Sequence, residues 1–240
     1  MISVSPRTSS PNLHQHVVEK VCEFLPQRSA PILDLGCGNG ALLQRFAGLG
    51  YHNLVGVDIK PPASTSRVVY EQVDLDYFKL RHPPGSFDLI MAVEVIEHIE
   101  NLGLFLAESF RLLKPGGQAL FTTPNLHSAQ SKLLFALADR LKQFDAKGDP
   151  THVTPIVMVP FTRLLNRHGL TVVDAWAFPL SGHSSTSRAA MRFAARTLRP
   201  ILKTHVGHGD TLCLLIHKTS DLAQDGDLGH KADRLTSHYL

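Results

Sequence analysis

Apolar and polar positions alternate along this chain with two different periods. Residues 12–25 place Val17, Val18, Val21, Phe24 and Leu25 at helical spacing, with Asn12 as the expected N-cap and Pro26 as the stop. From residue 31 onward, short apolar runs alternate with helical stretches. The runs at 31–35, 53–58, 68–74, 86–93 and 118–123 predict strands. The segments at about 40–48 and 101–113 predict helices, the second stopped by Pro115-Gly116-Gly117.

Beyond residue 124 the pattern loosens. Residues 126–144 read as an amphipathic helix, and 145–160 as a loop carrying Pro150, Pro155 and Pro160. Residues 161–168 read as a short helix ended by Gly169. Residues 170–177 and 211–217 read as two more strands with a basic helix between them. Strands and helices in this order predict an α/β fold: a seven-stranded, mostly parallel sheet with helices on both faces and the last strand antiparallel. Few residues join the second and third strands, through Lys60-Pro61-Pro62-Ala63-Ser64, so a loop is expected there in place of a crossover helix. The expected organisation is a flexible Ser/Pro-rich start (1–11), one domain over 12–218, and a polar, disordered tail over 219–240. Segments 124–160 and 178–210 should form a lid over the site, because loops at strand C-termini carry binding in such folds.

Composition narrows the class without naming it. The 240 residues are 43% apolar and 19% charged, with formal net charge +3. That fits one ordinary globular domain. The mildly basic balance is not the massed positive charge of a nucleic-acid binder. Cys22, Cys37 and Cys213 are scattered and in no metal-ligand spacing, which predicts reduced thiols and a cytoplasmic setting. No run approaches the length of a membrane span. Between the last strands, Arg188, Arg192, Arg196, Arg199 and Lys203 fall on one arc of a helix over 185–203. This is a solvated face, or a surface for a phosphate-bearing substrate or for peripheral contact with an anionic membrane.

The densest chemical signal is Ile32-Leu33-Asp34-Leu35-Gly36-Cys37-Gly38-Asn39-Gly40, an apolar strand running into glycines at alternate positions and then a helix. Such a loop bends sharply and lets a ligand lie against its backbone. Nicotinamide and flavin enzymes use G-x-G-x-x-G to seat a pyrophosphate, whereas here the spacing is G-x-G-x-G with no Arg or Lys for a phosphate. Asp34 instead supplies negative charge, suited to the cationic end of an amino-acid-like cofactor. Asp58, at the end of the second strand, suits a ribose diol. Asp74, at the end of the third, suits an adenine amino group, with apolar atoms of Leu75 over the ring.

The LDLGCGNG loop, VGVDI, QVDL, FDLIMAVEVIEH and LLKPGGQALFTTPN together resemble the class I S-adenosylmethionine-dependent methyltransferases across about residues 12–180. The resemblance implies a Rossmann-like fold, S-adenosylmethionine as cofactor and methyl transfer as the reaction. It implies that Asp34, Gly36, Gly38 and Asn39 surround the methionine part. Asp58 would hold the ribose and Asp74 with Leu75 the adenine. Val93 and Glu94 would line the floor.

Such a reaction needs a positioned nucleophile and often a base. Glu94-Val95-Ile96-Glu97-His98 follows the fourth strand, and one helical turn there would put Glu94, Glu97 and His98 on one face. His152 is a second imidazole, in Gly148-Asp149-Pro150-Thr151-His152. Three roles are open to these residues: His98 or His152 as a general base, Glu94, Glu97, His98 and His152 as ligands for Mg²⁺, Mn²⁺ or Zn²⁺, or the group as a lining of the cofactor site. The E-x-x-E-H pattern with a distant His resembles two metal-using branches, the ubiquinone-biosynthesis O-methyltransferases and the 2′-O-methyltransferases of small-RNA 3′ ends. The expected activity is O-methylation of a small molecule or a lipid- or glycan-linked intermediate. RNA 2′-O-methylation and cofactor binding without transfer are the alternatives.

Overall fold

The computed structural model describes residues 12–77, 79–179, 193–194, 196–198, 201–202 and 206–219. The segments 1–11 and 220–240, and Arg188, Arg192, Arg199 and Lys203 of the expected basic helix, lie outside the described residues.

The strands are β1 (Ile32–Leu35), β2 (Leu54–Asp58), β3 (Val68–Gln72), β4 (Phe87–Val93), β5 (Leu113–Pro124), β6 (Leu170–Phe178) and β7 (Thr211–Lys218). They form one sheet in the order β3-β2-β1-β4-β5-β7-β6. The first five are parallel, and β7 runs antiparallel between β5 and β6. The helices are α1 (Leu13–Phe24), α2 (Ala41–Gly48), α3 (Leu102–Leu112), α4 (Ala129–Ala138) and α5 (Met158–Arg167). No helix forms between β2 and β3, as the short Pro-rich link predicts.

Each central strand feeds two cores, because successive side chains leave a strand on opposite faces. Ile32, Leu89 and Met91 pack with α1 and α2 through Val17, Val21, Leu43 and Phe46. Leu33, Leu35, Ile90 and Ala92 pack on the other face with Phe105, Leu106 and Leu112 of α3 and Phe161 and Leu165 of α5. Burying such Leu, Ile and Phe side chains contributes about 1.5–3 kcal/mol each. The Trp176 indole donates to His16 Nε2 at 2.8 Å, tying α1 to β6.

Several boundaries differ from expectation for local reasons. Asn12 adopts φ 72° and its side chain caps nothing, although its carbonyl accepts from His16 N at 3.0 Å. β3 stops at Gln72, two residues short, because Asp74 Oδ1 accepts from Asp76 N at 3.0 Å and bends the chain away. Pro115-Gly116-Gly117 lies inside β5, not after a longer helix. α3 ends at Leu112, and the register slips between Phe87 and Leu89 to absorb the extra residues. α4 covers only 129–138, and its end is fixed by Asp139 at φ 50°. α5 starts at Met158 and holds Pro160 in its first turn, where no helical amide is needed. Among the described residues, no helix is long and apolar enough to cross a membrane.

Candidate active site

The carboxyl ends of β1, β2, β4 and β5 and the loops that leave them assemble the site. At the end of β1 the amides of Gly36 and Cys37 both donate to Val57 O, at 2.8 and 3.0 Å, folding the loop back onto β2. Gly40 N then donates to Cys37 O at 2.9 Å and starts α2. Gly36 has φ 73°, and a Cβ there would stand 2.5 Å from Val95 Cγ2. Gly40 has φ 77°, and a Cβ there would stand 2.1 Å from the Tyr70 hydroxyl oxygen. Each position therefore excludes a side chain twice, by backbone conformation and by crowding. A Cβ at Gly38 would meet nothing, so the outer side of the loop is open.

The acids of this loop sit in different environments. Asp34 is buried, and burial with the nearby charge of Asp58 pushes its carboxyl up to about 8. A cationic ammonium beside it would restore the charged form, which is what a methionine-like amino group offers. Asp58 accepts from Gly38 N at 2.9 Å through Oδ2 and from Lys60 N at 3.0 Å through Oδ1. Each oxygen keeps a further lone pair, enough for a diol. Asn39 Oδ1 accepts from Ala41 N at 3.1 Å and so steadies the first turn of α2. Asp74 lies beyond β3 in the 73–77 turn with Leu75, and neighbouring Asp76 accepts from Glu100 N and Asn101 N at 2.7 and 3.0 Å. These two bonds tie the turn after β3 to the start of α3. An open glycine cradle, a buried acid and an accepting carboxylate fit S-adenosylmethionine.

Val93 closes β4, and Glu94 follows at φ 56°, a conformation rare outside glycine and asparagine. The strain is held by Thr122 on β5, whose carbonyl and hydroxyl accept from Glu94 N at 3.1 and 2.9 Å. The Thr122 hydroxyl in turn donates to Glu94 Oε1 at 3.0 Å. Burial first, and the charge of Asp210 after it, lifts the Glu94 carboxyl to about 7.

A single 3-10 turn, Ile96–His98, then brings Glu97 and His98 to His152. One ligand atom from each of these three lies within 4.8 Å of the others. Glu94 does not join this group. Its left-handed backbone precedes the turn, so the expected face of Glu94, Glu97 and His98 is not formed. Glu97 has no exposed surface and neither carboxylate oxygen has a hydrogen-bond partner. Burial, then the charge of Glu94, raises its carboxyl well above the usual range. A buried carboxylate without partners is costly unless a cation or proton joins it. The imidazoles pack edge to face, centroids 4.7 Å apart. His98 Nδ1 lies 2.9 Å from Thr151 Oγ1, and His152 Nδ1 lies 3.0 Å from Gln143 O. Burial lowers the His98 imidazole, partly opposed by Thr151 and Asp149. One carboxylate and two imidazoles are a donor set suited to a divalent ion, and Glu97's lack of hydrogen-bond partners fits one. The loop before α5 reaches this place because Val153 N and Thr154 N both donate to Glu97 O at 2.9 Å.

Sequence reasoning passes over the residues that support these groups. Val95 and Tyr70 shape the glycine loop, Thr122 holds Glu94, and Asp149 and Thr151 attend His98. Only the last two carry a local signal, their place beside His152.

A parallel sheet with a glycine loop and a buried acid at the end of β1, Asp58 closing β2 and Asp74 just beyond β3 is the arrangement that the resemblance to the S-adenosylmethionine-dependent methyltransferases implies. The chain belongs to the methyltransferase domain family, whose model matches residues 12–175. It is similar to the rat mitochondrial ubiquinone biosynthesis O-methyltransferase, 28% identical over 75% of this chain and 57% of the rat protein. The Thiobacillus denitrificans ubiquinone biosynthesis O-methyltransferase is 28% identical over 60% of this chain and 66% of its own length. The chain thus spans between half and two thirds of these two relatives. Among solved structures, a methyltransferase of Haloferax volcanii in complex with the Trm112 activator has a TM-score of 0.59 at 16% identity, covering 86% of this chain and 90% of that one. A SAM-dependent methyltransferase from Archaeoglobus fulgidus has a TM-score of 0.58 at 18% identity, covering 85% and 94%. These two share the fold.

Proposed function

We propose that this chain transfers a methyl group to a hydroxyl oxygen of a small or lipid-linked molecule, with a divalent cation at Glu97, His98 and His152. The observation that carries the reading is the buried, unpartnered Glu97 carboxylate beside two imidazoles. The names of the ubiquinone-biosynthesis relatives support the choice of oxygen as acceptor.

S-adenosylmethionine supplies an electrophilic methyl group, and the cation would lower the pKa of the acceptor hydroxyl. The residues of the chain bind and orient. Asp34 with Gly36, Gly38 and Asn39 holds the amino-acid end, Asp58 the ribose, and Asp74 with Leu75 the adenine. Val93 and Glu94 form the floor between cofactor and acceptor. The loop over Glu97 keeps water from the reacting atoms. In the absence of a cation, His98 or His152 takes the acceptor proton.

An apolar substrate portion, or an anionic lipid surface, suits the outside of the lid. Leu133 of α4 packs with Ala194, Leu198 and Leu202, and this leaves Phe135, Leu137, Phe193 and Ile201 exposed beside exposed Arg196. Loss of cosedimentation with anionic vesicles in Phe193→Asp at low salt would support the membrane contact. Unchanged sedimentation removes it.

The test of function is methyl incorporation from labelled S-adenosylmethionine into a panel of catechol-type acceptors, by chelator-stripped protein reloaded with Mg²⁺, Mn²⁺ or Zn²⁺. Activity that returns only with metal is expected. Full activity in chelator leaves the imidazole base alone. Transfer to no hydroxylated acceptor by protein that binds the cofactor overturns the reading.

A further inference from the structure

Between the lid and the reaction centre runs a short chain of hydrogen bonds that the chemistry above does not use. The Thr151 hydroxyl donates to Asp149 Oδ1 at 2.6 Å, and Thr151 N donates to the same oxygen at 2.9 Å. Both bonds end on the same carboxylate oxygen of Asp149, so the single hydroxyl proton of Thr151 is committed to it. Thr151 Oγ1, 2.9 Å from His98 Nδ1, can then only accept from it. Thr151 O lies 3.2 Å from the same nitrogen and, as a carbonyl, also only accepts. Two acceptors face one ring nitrogen, so that nitrogen carries the proton in a three-centre bond.

We propose that Asp149 and Thr151 are positioning residues for His98: they fix Nδ1 as its protonated nitrogen and leave Nε2 as the lone pair that serves the reaction centre. What Nε2 does there, binding a cation, rests on the function proposed above. The fixed tautomer does not. The arrangement matches a general rule of metal sites, where an imidazole ligand donates its other N–H to a carboxylate, carbonyl or similar partner that orients it and raises its basicity. Here the orienting carboxylate acts through a hydroxyl, and all its parts come from the Asp149-Pro150-Thr151 turn. Lid placement and imidazole tautomer are therefore linked. If the turn moves away, His98 loses both acceptors at once.

The first measurement is the imidazole nitrogen–proton correlation spectrum of the metal-free, full-length protein labelled with ¹⁵N-histidine, with His98 assigned by its loss in His98→Gln. The expected result is the Nδ1–H form for His98. An Nε2–H form overturns the proposal without any variant having to fold. The second is Co²⁺ titration of Thr151→Val, Thr151→Ser and Asp149→Asn. Thr151→Val should mix the His98 tautomers and weaken Co²⁺ binding about 10–100-fold, while S-adenosylmethionine affinity stays unchanged. Thr151→Ser keeps the hydroxyl and should restore both readouts, and Asp149→Asn should fall between. A Thr151→Val protein with wild-type tautomer and wild-type Co²⁺ affinity overturns the proposal. Wild-type protein that binds no Co²⁺, yet shows the tautomer change in Thr151→Val, ends the metal reading and keeps the positioning role, now for a base.

Discussion

The Gly38 amide and Asp58 are joined by a hydrogen bond of 2.9 Å, which makes the glycine loop after β1 and the end of β2 a single unit. Asp58 thus organises the loop in addition to its proposed place at the cofactor ribose. Asp58→Ala is expected to weaken S-adenosylmethionine binding about tenfold or more, because a charge-assisted bond left unmade costs about 1.5–3 kcal/mol. Calorimetric titration of the folded variant checks this. An unchanged dissociation constant removes Asp58 from the cofactor site.

Gly36→Ala should weaken cofactor binding by about tenfold or more, since the new methyl group meets both a left-handed φ and Val95 Cγ2 at 2.5 Å. Strain of this kind costs about 1–3 kcal/mol. Val95→Ala should return part of the loss in the double variant, and a double-mutant cycle on melting temperature measures the coupling. If the two effects simply add, Val95 is not what excludes the side chain.

Glu97→Leu separates stability from activity. It removes a buried carboxyl without partners and keeps a side chain of similar bulk, so the metal-free protein should gain about 1–3 kcal/mol. Methyl transfer should be lost while S-adenosylmethionine still binds. A melting temperature below wild type would show that Glu97 is compensated in the folded state.

The ligand-free protein should lose stability as pH rises. Asp34 titrates near 8 when folded but in the ordinary carboxylate range when unfolded, so in that interval the unfolded chain holds fewer protons. Stability then falls with increasing pH by up to about 1.4 kcal/mol per unit for one such group. Glu94, lifted to about 7, adds to the slope over the lower part of the interval. Melting curves between about pH 5 and 8 should flatten in Asp34→Asn. An unchanged slope would assign the effect elsewhere.

Much of this molecule is legible in its sequence, because the signals are local. Ile32–Gly40 announces its strand, turn and helix through residues close in the chain, Asp34 and Asp58 fall at the ends of their strands, and Glu97 falls in the turn that follows β4. What is missed depends on contacts distant in the chain. Nothing near Glu94 foretells that Thr122 holds it in a left-handed conformation and takes it out of the Glu97 group. Asp74 reads as a strand end because the turn made with Asp76 is invisible to apolar periodicity. The length of α4 is misjudged because residues 139–144 keep helical spacing while Asp139 and Gln143 take positive φ.

The register at the end of the sheet has a consequence for diversification. Thr211 pairs with Pro124 on one side and with Phe178 on the other, so segments 125–157 and 179–210 leave the scaffold at the same rim. The residues proposed to hold the cofactor come from the ends of β1, β2 and β4 and the turn after β3. The two departing segments are therefore grafts on one border. Exchanging both segments together for a relative's pair is expected to alter this rim while the glycine loop after β1 stays as it is. Exchanging one segment alone would bring together surfaces that never evolved against each other, as in the packing of Leu133 with Ala194, Leu198 and Leu202.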